Sequence, residues 1–201
     1  LGLDSLRVQN CAPLAGLVSM LLGPGFGIAL GCVVGTGLGL ALPNLPALPL
    51  WAAGIPLATL VRAAYGLYAG PSIYAYGHFF GFFPGTLYDA NVALTQSFLW
   101  LGVASALLLL GCVLLIFGYV DPQTLAVSAD RKRRALRVIA WLCLGLVGLG
   151  EYHSDTLGWS SSTQRVRSAL GGQLRSQRCQ LYFPREWPNA ERQRIGTDCD
   201  Y

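Results

Sequence analysis

The chain has 201 residues, 53% of them apolar and only 12% charged, with 14 basic against 10 acidic side chains and a net charge of +4. This composition places it with integral membrane proteins and excludes a soluble-enzyme reading for most of its length. The mild positive balance is uneven: five basic residues fall between Arg131 and Arg137 and seven more lie beyond Glu151.

No charged side chain occurs between Arg7 and Arg62. A hydrocarbon core about 30 Å thick needs roughly 20 apolar residues per helical crossing, so this gap holds two. The first span is predicted over 11–42. Gly23-Pro24-Gly25 interrupts it, and a proline there frees a backbone carbonyl and kinks the helix. A tilted, bent helix is the first reading, and a re-entrant piece followed by a full span the second. Gly23, Gly27, Gly31, Gly35 and Gly39 recur in steps of four, the small-residue spacing that lets another helix approach closely.

Pro43 and Pro46 end that helix, since each lacks an amide hydrogen and restricts the residue before it. The second span is predicted over 48–70. Trp51 lies near one end and Tyr65 and Tyr68 near the other, as suits membrane interfaces. Arg62, in its last third, is expected to snorkel to the headgroups.

Residues 71–89 are rich in aromatics, glycine and proline and lack the period of a span. They read as an interfacial loop carrying Tyr74, Tyr76, His78, Phe79, Phe80, Phe82, Phe83, Tyr88 and Asp89. Tyrosines apart, His78 and Asp89 are its ionisable side chains, and both are expected to be structural, because two ligands do not make a metal site.

The third span, 92–120, is stopped by Asp121-Pro122. A short loop then carries Arg131, Lys132, Arg133 and Arg134, which should stay cytoplasmic and touch anionic headgroups. A nucleic-acid role has no reading element beside this cluster. The fourth span, 136–152, has thirteen uncharged residues between Arg137 and Glu151 and crosses only if Arg137 snorkels. Counting from the basic loop, 71–89 and both chain ends lie outside and 43–46 inside.

The chain thus divides into a transmembrane helical region, 1–150, and an extracytoplasmic tail, 151–201, that begins a small α+β domain. Ser160–Ser162 offer helix caps, 164–170 reads as a helix and Gly171-Gly172 as its stop. Residues 178–183 alternate as a strand, with Cys179, Leu181 and Phe183 on one face. Pro188 suits the first turn of a helix reaching Ile195. Leu1 at the start and the abrupt finish at Tyr201 both read as cut ends.

Cys32, Cys112 and Cys143 sit in apolar runs as small hydrophobes, whereas Cys179 and Cys199 can pair if the tail faces an oxidising compartment. Glu151, His153 and Asp155 alternate and would share a side only if extended; a solvated juxtamembrane stretch is preferred. The chain has no CxxC, HExxH, GxSxG or phosphate-binding glycine loop. The residues therefore assign it no catalytic residue, no metal ligand and no cofactor.

Three patches carry a family resemblance. They are Leu6-Arg7-Val8-Gln9-Asn10-Cys11-Ala12-Pro13-Leu14-Ala15-Gly16-Leu17, the loop from Pro71-Ser-Ile-Tyr-Ala-Tyr through Gly81-Phe-Phe-Pro-Gly-Thr-Leu-Tyr-Asp89, and Leu170-Gly171-Gly172 leading to Arg178-Cys-Gln-Leu-Tyr-Phe183. Together they resemble the membrane-spanning front half of bacterial proteins whose later half is a peptidase-MA-like, gluzincin-type metallopeptidase domain. Ala12 stands where that family often has an acidic residue. The resemblance implies a polytopic anchor in the bacterial inner membrane, with zinc and its ligands beyond Tyr201. Two other functions fit the residues: a non-enzymatic subunit of a larger membrane complex, using the glycine face and aromatic loop as contacts, and a transporter or permease module.

Overall fold

A computed structural model describes residues 13–44, 46–70, 75–83, 95–128 and 130–200. Four helices are long and apolar enough to cross a membrane: Gly16–Ala41, Leu48–Ala69, Gln96–Tyr119 and Arg131–Tyr152.

The first is continuous through its proline. α1 (Pro13–Met20) passes into a π-helical turn, Leu21–Gly25, and then into α2 (Phe26–Ala41). Pro24 has no amide hydrogen, and its ring crowds the carbonyl four residues back. The wider turn absorbs this, and the Phe26 N–H reaches the Leu21 carbonyl five residues back. A single continuous helix therefore forms, with no re-entrant break between Pro13 and Ala41. Its 26-residue apolar span is about 39 Å long at 1.5 Å per residue, ample for one tilted crossing.

α3 (Leu48–Ala69) starts after Ala47, which adopts a left-handed backbone (φ 57°). It tolerates Pro49 in its first turn, where no intrahelical bond is lost, and Pro56 in its interior. No residue of α3 is buried within the chain.

α4 (Gln96–Tyr119) is the centre of the bundle. Thr95 caps it, its Oγ1 accepting the Phe98 N–H at 3.2 Å. α5 (Arg134–Tyr152) runs antiparallel along it and buries Ala140, Cys143 and Val147, a spacing of three and four that makes one seam. The close approach rests on glycines of α4. A Cβ at Gly111 would lie 3.0 Å from Leu144 Cδ2, and one at Gly118 would lie 2.8 Å from Arg137 Cγ. On another side of α4, Gly102 receives Leu22 and Ile116 packs on Gly37.

The turn joining α4 and α5 is built on side-chain caps. Asp121 accepts the Gln123 N–H at 3.1 Å and the Thr124 hydroxyl at 3.2 Å, and Asp130 accepts the Lys132 N–H at 3.1 Å. Arg133 donates to the carbonyls of Phe117 and Val120, and Arg137 donates to Gly118 O at 3.3 Å while lying over the Tyr119 ring. Two cations thus satisfy the orphan carbonyls that end α4 and face the negative end of its dipole. Arg137 thus docks on the end of the neighbouring helix.

Residues 75–83, expected as an irregular loop, contain a β-hairpin. β1 (Ala75–Gly77) pairs antiparallel with β2 (Gly81–Phe83) around a turn at His78-Phe79-Phe80. Gly81 has φ +71°, a conformation that favours glycine, and its Cα packs against Gly23.

Beyond α5, the short α6 (Ser154–Leu157) ends at Gly158 (φ 91°), and Trp159 turns back onto the bundle against Leu101 and Ala104. The tail then folds as α7 (Thr163–Leu170), β3 (Gly171–Arg175), β4 (Gln180–Pro184) and α8 (Asn189–Asp200). Ser162 Oγ caps α7 by accepting the Arg165 N–H at 3.2 Å. Gly171-Gly172, read as a helix stop, also opens strand β3, which pairs with β4 from Gly171↔Pro184 to Arg175↔Gln180. α8 continues past Ile195 to Asp200, where Cys199 is bonded to Cys179 and Asp200 accepts from Ser176 and the Arg178 N–H. Phe183 is buried, stacked on Trp187 at 6.4 Å, with the Arg192 guanidinium over the Phe183 ring at 4.8 Å.

Candidate functional site

The polar side chains of the bundle converge at the end from which the tail emerges. Ser105 stands on α4 and is 1% exposed. Its hydroxyl donates to Leu101 O at 2.9 Å, the back-bond to the fourth preceding carbonyl that serine makes inside helices. The turn of the β1–β2 hairpin places His78 Nδ1 2.8 Å from Ser105 Oγ and His78 Nε2 3.2 Å from Glu151 Oε1. Arg62 Nη2 approaches Glu151 Oε2 at 3.8 Å.

The proton arrangement follows from this geometry. With the serine hydrogen directed at Leu101 O, Oγ accepts the Nδ1–H of His78. The contact between Nε2 and the carboxylate then needs one further proton, carried by the imidazole or by Glu151. The Arg62 side chain is 84% exposed, so its long contact to Glu151 contributes little beside the imidazole. The buried indole N–H of Trp159 has no hydrogen-bond partner among the described residues.

These residues border a cavity of about 260 Å³ lined by Arg62, Tyr76, His78, Glu151, Trp159 and Ser160. Its size is near the lower end of small-ligand sites. The chain Ser–His–Glu has the order of a nucleophile, base and orienting acid. Ser105, however, is sealed in the bundle and does not line the cavity, and its proton is already committed. The chemistry this arrangement performs is tethering: one imidazole ties a hairpin to two helices.

The hairpin is also seated on a third helix. A Cβ at Gly27 would collide with the Phe79 backbone, and Gly23 lies against Gly81. Within the chain, the first two glycines of the α2 stripe thus receive a hairpin. Gly31 and Gly35 face open space, and Gly39 meets the Leu48 side chain. In the aromatic loop, Tyr76, His78 and Phe79 are half-buried and Phe80 is exposed. Tyr74, Tyr88 and Asp89, and the side chains of Phe82 and Phe83, lie outside the described residues.

At the opposite end, Arg131, Lys132 and Arg134 are exposed while Arg133 is held on α4. Cys179 and Cys199 are joined in the tail. Glu151, His153 and Asp155 do not share a side, because the backbone there is helix, turn and helix. Among the described residues there is no group of three or more His, Cys, Asp or Glu side chains that could hold a metal.

Sequence reasoning missed Ser105 and treated Arg62, His78 and Glu151 separately. A signal was available: topology counting put the end of α3, the 71–89 loop and the end of α5 on one side. The helix-packing glycines of α4, Gly102, Gly111 and Gly118, were also overlooked, hidden in a leucine-rich run.

Fold and site define a helical chain with four helices fit to cross a membrane and a polar tether at one bundle end. Comparison with known protein families, curated proteins and solved structures finds no match to it.

Proposed function

We propose that the chain is the membrane anchor of a metallopeptidase-like protein of the peptidase-MA-like, gluzincin type, and holds no catalytic site itself. It lies in the bacterial inner membrane and presents its tail, 151–201, on the periplasmic or extracellular side. The observation that supports the orientation is the antiparallel pairing of α4 and α5. It separates the turn bearing Arg131, Lys132, Arg133 and Arg134 from the disulfide-linked tail by the length of a span. Basic loops are retained in the cytoplasm and disulfides persist outside it, so both ends of the pair favour one orientation.

Labelling of Cys179 and Cys199 in sealed cells, after mild reduction with an impermeant agent, tests the orientation. Modification by an impermeant maleimide is expected; full protection refutes it. Reading the coding sequence beyond Tyr201 tests the family, since an HExxH helix with bound zinc in the full protein is required.

A second reading, a non-enzymatic subunit of a larger membrane complex, draws support from α3, which buries nothing within the chain, and from the open Gly31 and Gly35. Stoichiometric copurification with other membrane proteins, together with absence of zinc, would favour it.

A further inference from the structure

A second cavity, of about 330 Å³, lies between α2 and α4 at the end near the basic turn. Val34, Gly37, Ala41, Leu115, Ile116 and Tyr119 border it, and tyrosine supplies the one hydroxyl among them. Gly37 and Ala41 contribute little side chain to the α2 wall of the cleft. It runs along two candidate spans, so an apolar chain is a better filler than water, which would find little beyond the Tyr119 hydroxyl to hydrogen-bond with.

The mouth of the cleft is electrically marked. Tyr119 and Val120 close it, and these are the residues on which Arg137 and Arg133 rest. From Asp121 to Arg137 the chain has five basic residues against two acidic ones. Asp121 is engaged with Arg133 at 4.0 Å and with its own turn, and Asp130 caps the Lys132 N–H. Arg131, Lys132 and Arg134 are exposed and have no ion-pair partner among the described residues.

We infer that this cleft is a site for one anionic phospholipid, with an acyl chain between α2 and α4 and its phosphate received by the exposed cations Arg131, Lys132 and Arg134. An apolar slot beneath a positive rim matches the two halves of such a molecule. A helix from another protein would fill the slot but leave the rim uncompensated. The inference rests on the membrane-anchor reading, because it needs α2 and α4 to lie in lipid.

The test uses the chain purified in mild detergent and examined by native mass spectrometry. One phospholipid per chain is expected to survive delipidation. Added phosphatidylglycerol should bind about tenfold better than phosphatidylcholine with the same chains. The triple variant R131Q/K132Q/R134Q, whose side chains make no folded-state contacts described above, should lose that preference. Ala41→Phe, which fills the slot, should abolish retention in the folded protein, judged by circular dichroism. Equal binding of both lipids by the unsubstituted chain, no retained lipid, or a stoichiometric protein in its place overturns the site. A chain that stays monodisperse without detergent overturns the membrane-anchor reading as well, so the two failures are distinguishable.

Discussion

His78 and Glu151 stand 73 positions apart in the chain, yet the imidazole Nε2 lies 3.2 Å from the carboxylate. One residue sits on a three-residue hairpin turn and the other in the last turn of α5. The other imidazole nitrogen holds Ser105 of α4 at 2.8 Å, and the turn's backbone rests on Gly27 of α2. The hairpin is thus a strap over three helices, fastened by one side chain and one patch without Cβ atoms. In lipid, where apolar side chains gain little by leaving acyl chains for one another, such polar and close-packed contacts hold helices together.

Removing the fastening should loosen the whole end of the bundle. His78→Ala leaves Ser105 Oγ and the Glu151 carboxylate without their imidazole, at an expected cost of about 1–3 kcal/mol. Thermal unfolding in detergent micelles should show a midpoint several degrees lower. Ser105→Ala should add little on the H78A background, because the two changes break one network. An unchanged midpoint for H78A would sink the strap.

The glycines of α2 should differ sharply. Gly27→Ala places a methyl group against the Phe79 backbone, so the hairpin must lift or the helix shift. Gly31→Ala meets nothing within the chain. Stability is expected to fall by about 1–3 kcal/mol for G27A, as for other overpacked sites, and to hold for G31A. Equal effects on the unfolding midpoint would contradict the seating of the hairpin.

The basic turn should divide into one structural cation and its free neighbours. Arg133→Ala strips a donor from the Phe117 and Val120 carbonyls at the end of α4, an expected loss of about 0.5–1 kcal/mol. Arg131→Ala, on an exposed residue, should leave the midpoint unmoved in lipid-free micelles. The comparison is read from paired melting curves.

Cys179 and Cys199 are separated by 20 residues, and closing a loop of that length stabilises a fold by about 3 kcal/mol in the chain-entropy account. Reduction should make α8 susceptible to limited proteolysis while the bundle keeps its helicity. C179S, C199S and the double variant should behave alike. A tail equally resistant with and without reductant would refute the bond's role.

Asp200 supplies a pH dependence outside the bundle. The Ser176 hydroxyl and then the Arg178 N–H hold its carboxyl below the usual aspartate range. A lowered folded-state value means the stabilisation is complete above the unfolded-state value and fades as pH falls through the folded-state one. Proteolytic opening of α8 should therefore rise below about pH 4, the range of an unperturbed aspartate. Asp200→Asn should open more readily at neutral pH and lose that acid-dependent increase.

Much of the architecture is legible along the chain because crossing a bilayer is a one-dimensional property. The uncharged stretches around Leu30, Leu57, Leu109 and Leu146 announce four helices wherever they fold, and Asp121-Pro122 must end one of them. Ser162 as a cap, Phe183 in a strand and Pro188 before α8 are equally local statements. The hairpin at 75–83 was not legible, since strands of three residues show no period and glycine and aromatic residues mask the rest. Nor was the use of Gly23 and Gly27, because their spacing says only that something can come close.

Local rules of length, hydropathy and backbone chemistry thus determined which segments are helices and where they stop. Which helices touch, and that Arg62, His78, Ser105 and Glu151 meet at one bundle end, was decided in three dimensions. Those four residues come from four separate segments, and no pattern in any one of them encodes the others. Their meeting depends on glycine-permitted approach at Gly111 and Gly118, which sets the register of α4 against α5, and on the hairpin's seat at Gly27. Contact geometry of that kind arises only when all the surfaces are packed together.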